Sequence, residues 1–169
     1  MDKKNKIITA AISEFAKNGF EKASMDAVAI KAKVAKGTIF YHFKSKDVLF
    51  AQIVEEGKEK LEKKIVDKTI NLKSNTDKIE KIIEIEVDFI KKYHDLFLVY
   101  LGDVIKKSIS LETVRTILNN GKNDGEFRRD LNIEMASLSM FWSVAMICLN
   151  SKKVDLKAVK KLILNSIKG

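Results

Sequence analysis

Not one of the 169 residues is proline, and only seven are glycine. Proline ends helices from within, since it lacks an amide hydrogen and its ring collides with the preceding turn. Without it, and with lysine, glutamate and leucine abundant, the chain reads as helices joined by short polar turns. The expected fold is all-α with about nine helices, and no stretch alternates as a strand would. Hydrophobic residues make up 46% and charged residues 33%, which fits a soluble globular chain and excludes a disordered one.

The most informative stretch is Lys36 to Phe43, Lys-Gly-Thr-Ile-Phe-Tyr-His-Phe, followed directly by Lys44-Ser45-Lys46-Asp47. Ile39 and Phe43 stand four apart and share one helical face. Around them Lys36, Thr38, Tyr41 and His42 can reach phosphates or base edges, and Phe40 and Tyr41 add flat apolar surface. Gly37 lets a foreign backbone come close. A solvated surface helix with two anchors explains that spacing equally well. The preceding segment separates the two readings. Ser24 is an N-cap for a short helix over Met25–Ala32, with Asp26 in its first turn and Val28, Ala29 and Ala32 on its apolar face. Lys33-Val34-Ala35 then turns tightly into the Lys36 helix, the arrangement that places a second helix in a DNA major groove. Charge agrees. The net charge is +9, and residues 1–48 hold ten lysines against five acids, so the excess gathers at this end. A lysine-rich proteome would produce part of the same excess.

The run Asp2–Phe50 resembles the DNA-binding domain of the TetR/AcrR family of transcriptional regulators. The matching positions are Ile7, Ile8, Ala10, Ala11, Phe15, Gly19 and Phe20 in the leading helix, then Val28 and Ala29, then Val34, Lys36 to Phe43, Lys46 and Leu49. The resemblance implies a homodimeric, ligand-responsive repressor on a pseudo-palindromic operator. It implies a helix-turn-helix domain over 1–46 and a helical effector-binding and dimerisation domain over 47–169. Thr38, His42, Lys46 and the Ser24 end of the second helix would hold phosphates, while Lys36, Gly37, Phe40 and Tyr41 would read bases. Two positions depart from the family pattern of glycine in the turn and serine or threonine before the recognition helix. Lys33 has to take up a left-handed conformation at about 1 kcal/mol relative to glycine. Ala35 lacks a capping oxygen, a loss of roughly 1 kcal/mol.

Elsewhere, Lys3–Asn18 forms an expected helix facing inward with Ile8, Ala11, Ile12, Phe15 and Ala16, ending at Gly19, with Phe20 closing the core. Ser45 caps a long helix over Lys46–Lys68 with Phe50, Val54, Leu61 and Ile65 on one face, either a rigid lever or a passive connector. Further helices are expected at Lys78–Tyr93, Leu96–Lys107, from a Ser110 cap to Asn119, at Ile133–Leu149 after Asn132, and at Leu156–Ile167 after Asp155. Met135–Ser151 carries no charge but falls short of the ~20 apolar residues of a membrane span, so it reads as a buried helix. The last two helices are the expected dimer interface; the alternative is that the first of them is the core of a monomer. Phe89, Tyr93, Phe97, Tyr100, Met140, Phe141, Trp142 and Met146 could line a cavity for a small apolar or amphipathic effector, and core packing explains each of them as well.

The single Cys148 and the absence of a leader pattern point to a reducing cytoplasm. With two histidines and no His-Glu-x-x-His pair, phosphate loop, Cys-x-x-Cys or nucleophile elbow, no enzyme, metal site or cofactor is expected. The competing reading is a helical adaptor or architectural protein that holds DNA non-specifically.

Overall fold

The computed structural model describes residues 2–95, 97–98, 112–151 and 153–168. Among these residues it is all-helical. The helices are α1 (Lys3–Lys22), α2 (Met25–Ala32), α3 (Lys36–His42), α4 (Lys46–Thr69), α5 (Asn75–Lys92), α6 (Glu112–Asn123), α7 (Ile133–Asn150) and α8 (Leu156–Ile167). The expected Leu96–Lys107 helix and the Ser110 cap lie outside the described residues, apart from the few positions up to 98. The chain divides into two compact units, Met1–Glu59 with Tyr93–Lys107, and Lys60–Lys92 with Ser108–Gly169.

In the first unit α1 packs against α2 and buries Ile7, Ile8, Ala10, Ala11 and Phe15. The inward stripe is therefore turned toward Ile7 and Ala10; Ile12 and Ala16 sit at its margin, half-buried. Gly19 takes φ 73° and ψ 162°, a conformation open to glycine, and breaks the helix there as expected before a last turn runs on to Lys22. That turn swings Phe20 back onto Phe15 and Phe50, with ring centroids 5.7 and 4.8 Å apart. Leu49 and Ile53 of α4 are fully buried, which is why the unit extends well into that helix. On α4 Val54, Leu61 and Ile65 are buried as expected, with Leu49 and Ile53 buried as well and Phe50 half-buried beside them; Ser45 Oγ accepts from Val48 N at 3.2 Å as the cap.

In the second unit α5 is the central helix, and α6, α7 and α8 all pack against it. Ile79, Ile82, Ile83, Val87 and Ile90 are buried as their spacing predicts, and so are Ile85 and Phe89, because three neighbours cover more than one face. The helix starts at Asn75, three residues earlier than expected. The Glu126 carboxylate accepts from Asn75 N and Thr76 N, both at 2.8 Å, and from Ser74 Oγ at 2.9 Å, completing the first turn from a distant loop. Phe127 beside it is buried against Gly121 of α6. The start of α6 is finished in the same way by Glu62, which accepts from Thr113 N at 3.1 Å and from its hydroxyl.

The α7 helix is long and apolar enough to cross a membrane by length and composition, yet only 33% of that window is buried. It turns Ala136, Ser137, Met140, Phe141, Val144 and Ala145 inward, so the expected buried helix is buried on one face only. Met135, Ser139, Trp142 and Met146 lie on the other. Asn132 and Asp155 cap α7 and α8 as expected. On α8, Val159, Ile163 and Ile167 are buried while Leu162 is exposed. Lys160 bonds Glu84 at 2.7 Å and Glu80 at 3.1 Å on α5.

Candidate nucleic-acid interface

The recognition helix α3 is held from one side by Ile39 and Phe43, both completely buried. On the other side Tyr41 is 85% exposed and Phe40 43% exposed, with Lys36 and Gly37 exposed beside them. Two adjacent aromatic rings this exposed form a surface open to a partner. Tyr41 meets His42 edge-on, their centroids 5.2 Å apart. A Cβ placed on Gly37 would meet nothing within 4 Å, and its backbone is ordinary helix, so nothing inside the protein calls for glycine there. Thr38 and His42 are half-buried at the flanks.

The turn before α3 has the geometry its unusual residues require. Lys33 adopts φ 56° and ψ 47°, the left-handed conformation expected of it. Val34 N bonds Ala29 O and Lys33 N bonds Ile30 O, both at 3.1 Å, the pair of bonds that closes a helix with a left-handed residue. Ala35 makes no side-chain cap; the backbone bond from Thr38 N to Ala35 O, 2.9 Å, stands alone. Ser24 Oγ accepts from Ala27 N at 3.1 Å and caps α2, leaving the positive end of that helix at the surface. Asp26, one turn in, meets Lys36 Nζ at 2.8 Å. No local pattern announced that pair, because its partners lie ten positions apart across the turn.

Lys46 is engaged within the protein. Its ammonium donates to Phe20 O at 2.7 Å, Ala23 O at 3.1 Å and Glu21 O at 3.2 Å, and lies 4.4 Å from the centroid of the Phe20 ring. An ammonium has three donors, and all three are used inside the protein. In the free protein Lys46 therefore finishes the carbonyl end of α1.

The expected effector residues are divided between the units. In the second, Phe89, Met140 and Phe141 are buried, whereas Met146 is 51% exposed and Trp142 shares its outer face, so these two do not line the interior with them. Tyr93, partly exposed, and Phe97, buried, belong to the first unit, and Tyr100 lies outside the described residues. Cys148 is half-buried, and burial pushes its thiol up. The residue overlooked in the sequence is Glu86. It is 3% exposed, its Oε2 has no hydrogen-bond partner among the described residues, and burial raises its carboxyl to about 8. Its spacing of four from Ile82 and Ile90 was the available signal. Glu126 is the opposite case: against desolvation, which raises it, the N–H groups of Asn75 and Thr76 and the Ser74 hydroxyl hold its carboxyl at about 2.

A family profile described as "Bacterial regulatory proteins, tetR family" matches residues 7–53, which span α3 and its supports. The Fatty acid metabolism regulator protein of Bacillus subtilis is 24% identical, over 94% of this chain and 90% of its own length. The HTH-type transcriptional repressor SCO4008 of Streptomyces coelicolor is 34% identical, over 51% of this chain and 41% of its own length. Among solved structures, the transcriptional regulator FadR from Bacillus subtilis in complex with stearoyl-CoA superposes with a TM-score of 0.75 at 22% identity, covering 95% of both chains.

Proposed function

We propose that this chain, which belongs to the TetR family of bacterial regulatory proteins, represses transcription as a homodimer on a pseudo-palindromic operator and releases it when a long-chain acyl effector binds. The first unit is the DNA reader and the second the effector and dimerisation body. Each subunit lays α3 in a major groove, the two copies one helical turn or a multiple apart. Lys36, Gly37, Phe40 and Tyr41 meet base edges; Thr38, His42 and the Ser24 end of α2 meet phosphates. The observation that carries this reading is the exposed Phe40–Tyr41 surface on a helix whose opposite side is completely buried.

Dimerisation is supported by the uncovered face of α7, where Met135, Trp142 and Met146 flank the small Ser139, together with exposed Leu162 on α8. The acyl class is supported by the name of the Bacillus subtilis relative that matches along nearly the whole chain, and by the stearoyl-CoA in the similar structure. Effector and operator are coupled by the usual ~1–3 kcal/mol, five- to 150-fold in affinity.

Selection of binding sites from a random DNA pool at near-physiological salt tests the reading. A two-fold symmetric motif is expected, and added stearoyl-CoA is expected to release it. Enrichment without a motif, lost as salt rises, would leave only electrostatic binding and return the architectural reading.

A further inference from the structure

Glu86 stands where the helical body should be hydrocarbon. It lies on α5, the helix that three others pack against, in line with Ile79, Ile82, Ile83 and Ile90. The other buried polar residues of the second unit are accounted for: Thr69 donates to Ile65 O, Asn75 to Glu126 and Asp124, and Ser137 to Glu134 O. Glu62, Asn75 and Arg115 each hold one buried unpaired atom but are bonded through another. Among the described residues no such bond exists for Glu86, whose Oε2 is unpaired. A core does not keep an unpaired carboxyl for stability, since an apolar residue of the same shape would serve better. Burial keeps the group protonated at neutral pH, so it presents an O–H donor in apolar surroundings.

We propose that Glu86 is the polar contact of the effector site, its carboxyl donating a hydrogen bond to the carbonyl oxygen of a long-chain acyl group whose alkyl tail lies against apolar side chains of the second unit. This rests on the acyl reading above and adds the residue that reads the head of the chain. An acyl thioester and a free fatty acid both carry such an oxygen. Aliphatic walls with one donor would select for an oxygen at one end of the ligand and for little else.

The test is titration of stearoyl-CoA and, separately, stearate into the full-length protein and its E86Q and E86L variants, with thermal unfolding of each. E86L is expected to melt higher than the parent, because an unpaired acid is gone, and yet to bind at least about tenfold more weakly. E86Q keeps a donor and is expected to bind within about threefold of the parent. Binding of stearoyl-CoA alone assigns the contact to the thioester carbonyl, and binding of stearate as well extends it to the free acid. An E86L protein that binds as tightly as the parent refutes the contact and leaves the acyl reading standing. A parent protein that binds neither probe refutes the acyl reading and the contact with it. Equal loss of binding and lower melting in both variants would return Glu86 to a structural role.

Discussion

Replacing Lys46 with methionine removes an ammonium and keeps its stem. In the structure that ammonium spans 2.7 to 3.2 Å to three carbonyls at the end of α1 and lies over the Phe20 ring. A hydrogen bond from a charged donor contributes about 1.5–3 kcal/mol, and a cation over an aromatic ring at a partly exposed site about 0.5–1 kcal/mol. The three bonds share one donor group and do not add, and Glu21 O is reached by water once the ammonium is gone. A net loss of about 2–3 kcal/mol follows, which for a chain of this length lowers the melting temperature by about 4–12 °C. DNA binding provides the second readout. A lysine on a phosphate releases a counterion, and its loss would flatten the salt dependence of affinity by about 0.9 per subunit. With Lys46 turned inward the slope should not move. Circular dichroism melting and operator titrations at several salt concentrations measure both. A K46M protein that melts within about 1 °C of the parent and has a flatter salt slope would refute the internal role and restore the phosphate one.

Other expectations are independent of that lysine. Tyr41→Ala should abolish selective operator binding without changing melting, since the ring is 85% exposed; unchanged operator affinity would remove α3 from the groove. Glu126→Gln should destabilise the protein by about 1–2 kcal/mol at neutral pH through loss of the charged cap on α5. Because the native carboxyl is held at about 2, below its unfolded value, its contribution is complete above about pH 4.5 and fades as pH falls toward 2, so the parent and variant melting curves should converge there. A gap that persists at low pH would contradict the assignment. Gly121→Ala would place a Cβ 2.2 Å from Cε2 of the buried Phe127 ring, and a loss of about 2–3 kcal/mol in denaturant titration is expected; an unchanged midpoint would mean the ring moves aside freely.

Local chemistry was legible in the sequence wherever a residue's task is completed by its near neighbours. Ser24, Ser45, Asn132 and Asp155 announce helix starts because a cap bonds an amide three residues on, and all four do so. Lys33 declared its left-handed backbone because the turn needs one whatever the side chain. The anchors Ile39 and Phe43 followed from a spacing of four. Long side chains were illegible. The destinations of Lys46, Lys160, Glu62 and Glu126 are chosen by the tertiary fold, and each ends on an element remote in sequence. Glu86 is hard to read because a charged side chain ordinarily faces solvent, although its register places it among isoleucines. On α1 the exact inward face shifted because two adjacent faces are almost equally apolar, and only α2 decides between them.

The remote caps on α5 and α6 have a further consequence for how the molecule can be watched. First-turn amides of a helix ordinarily exchange with solvent hydrogen quickly, because no carbonyl of their own helix reaches them. Here Asn75 and Thr76 give their amide hydrogens to Glu126, and Thr113 gives its own to Glu62. Their exchange rates therefore register whether a segment some 50 positions away is docked, so three backbone sites act as built-in reporters of tertiary closure in the second unit.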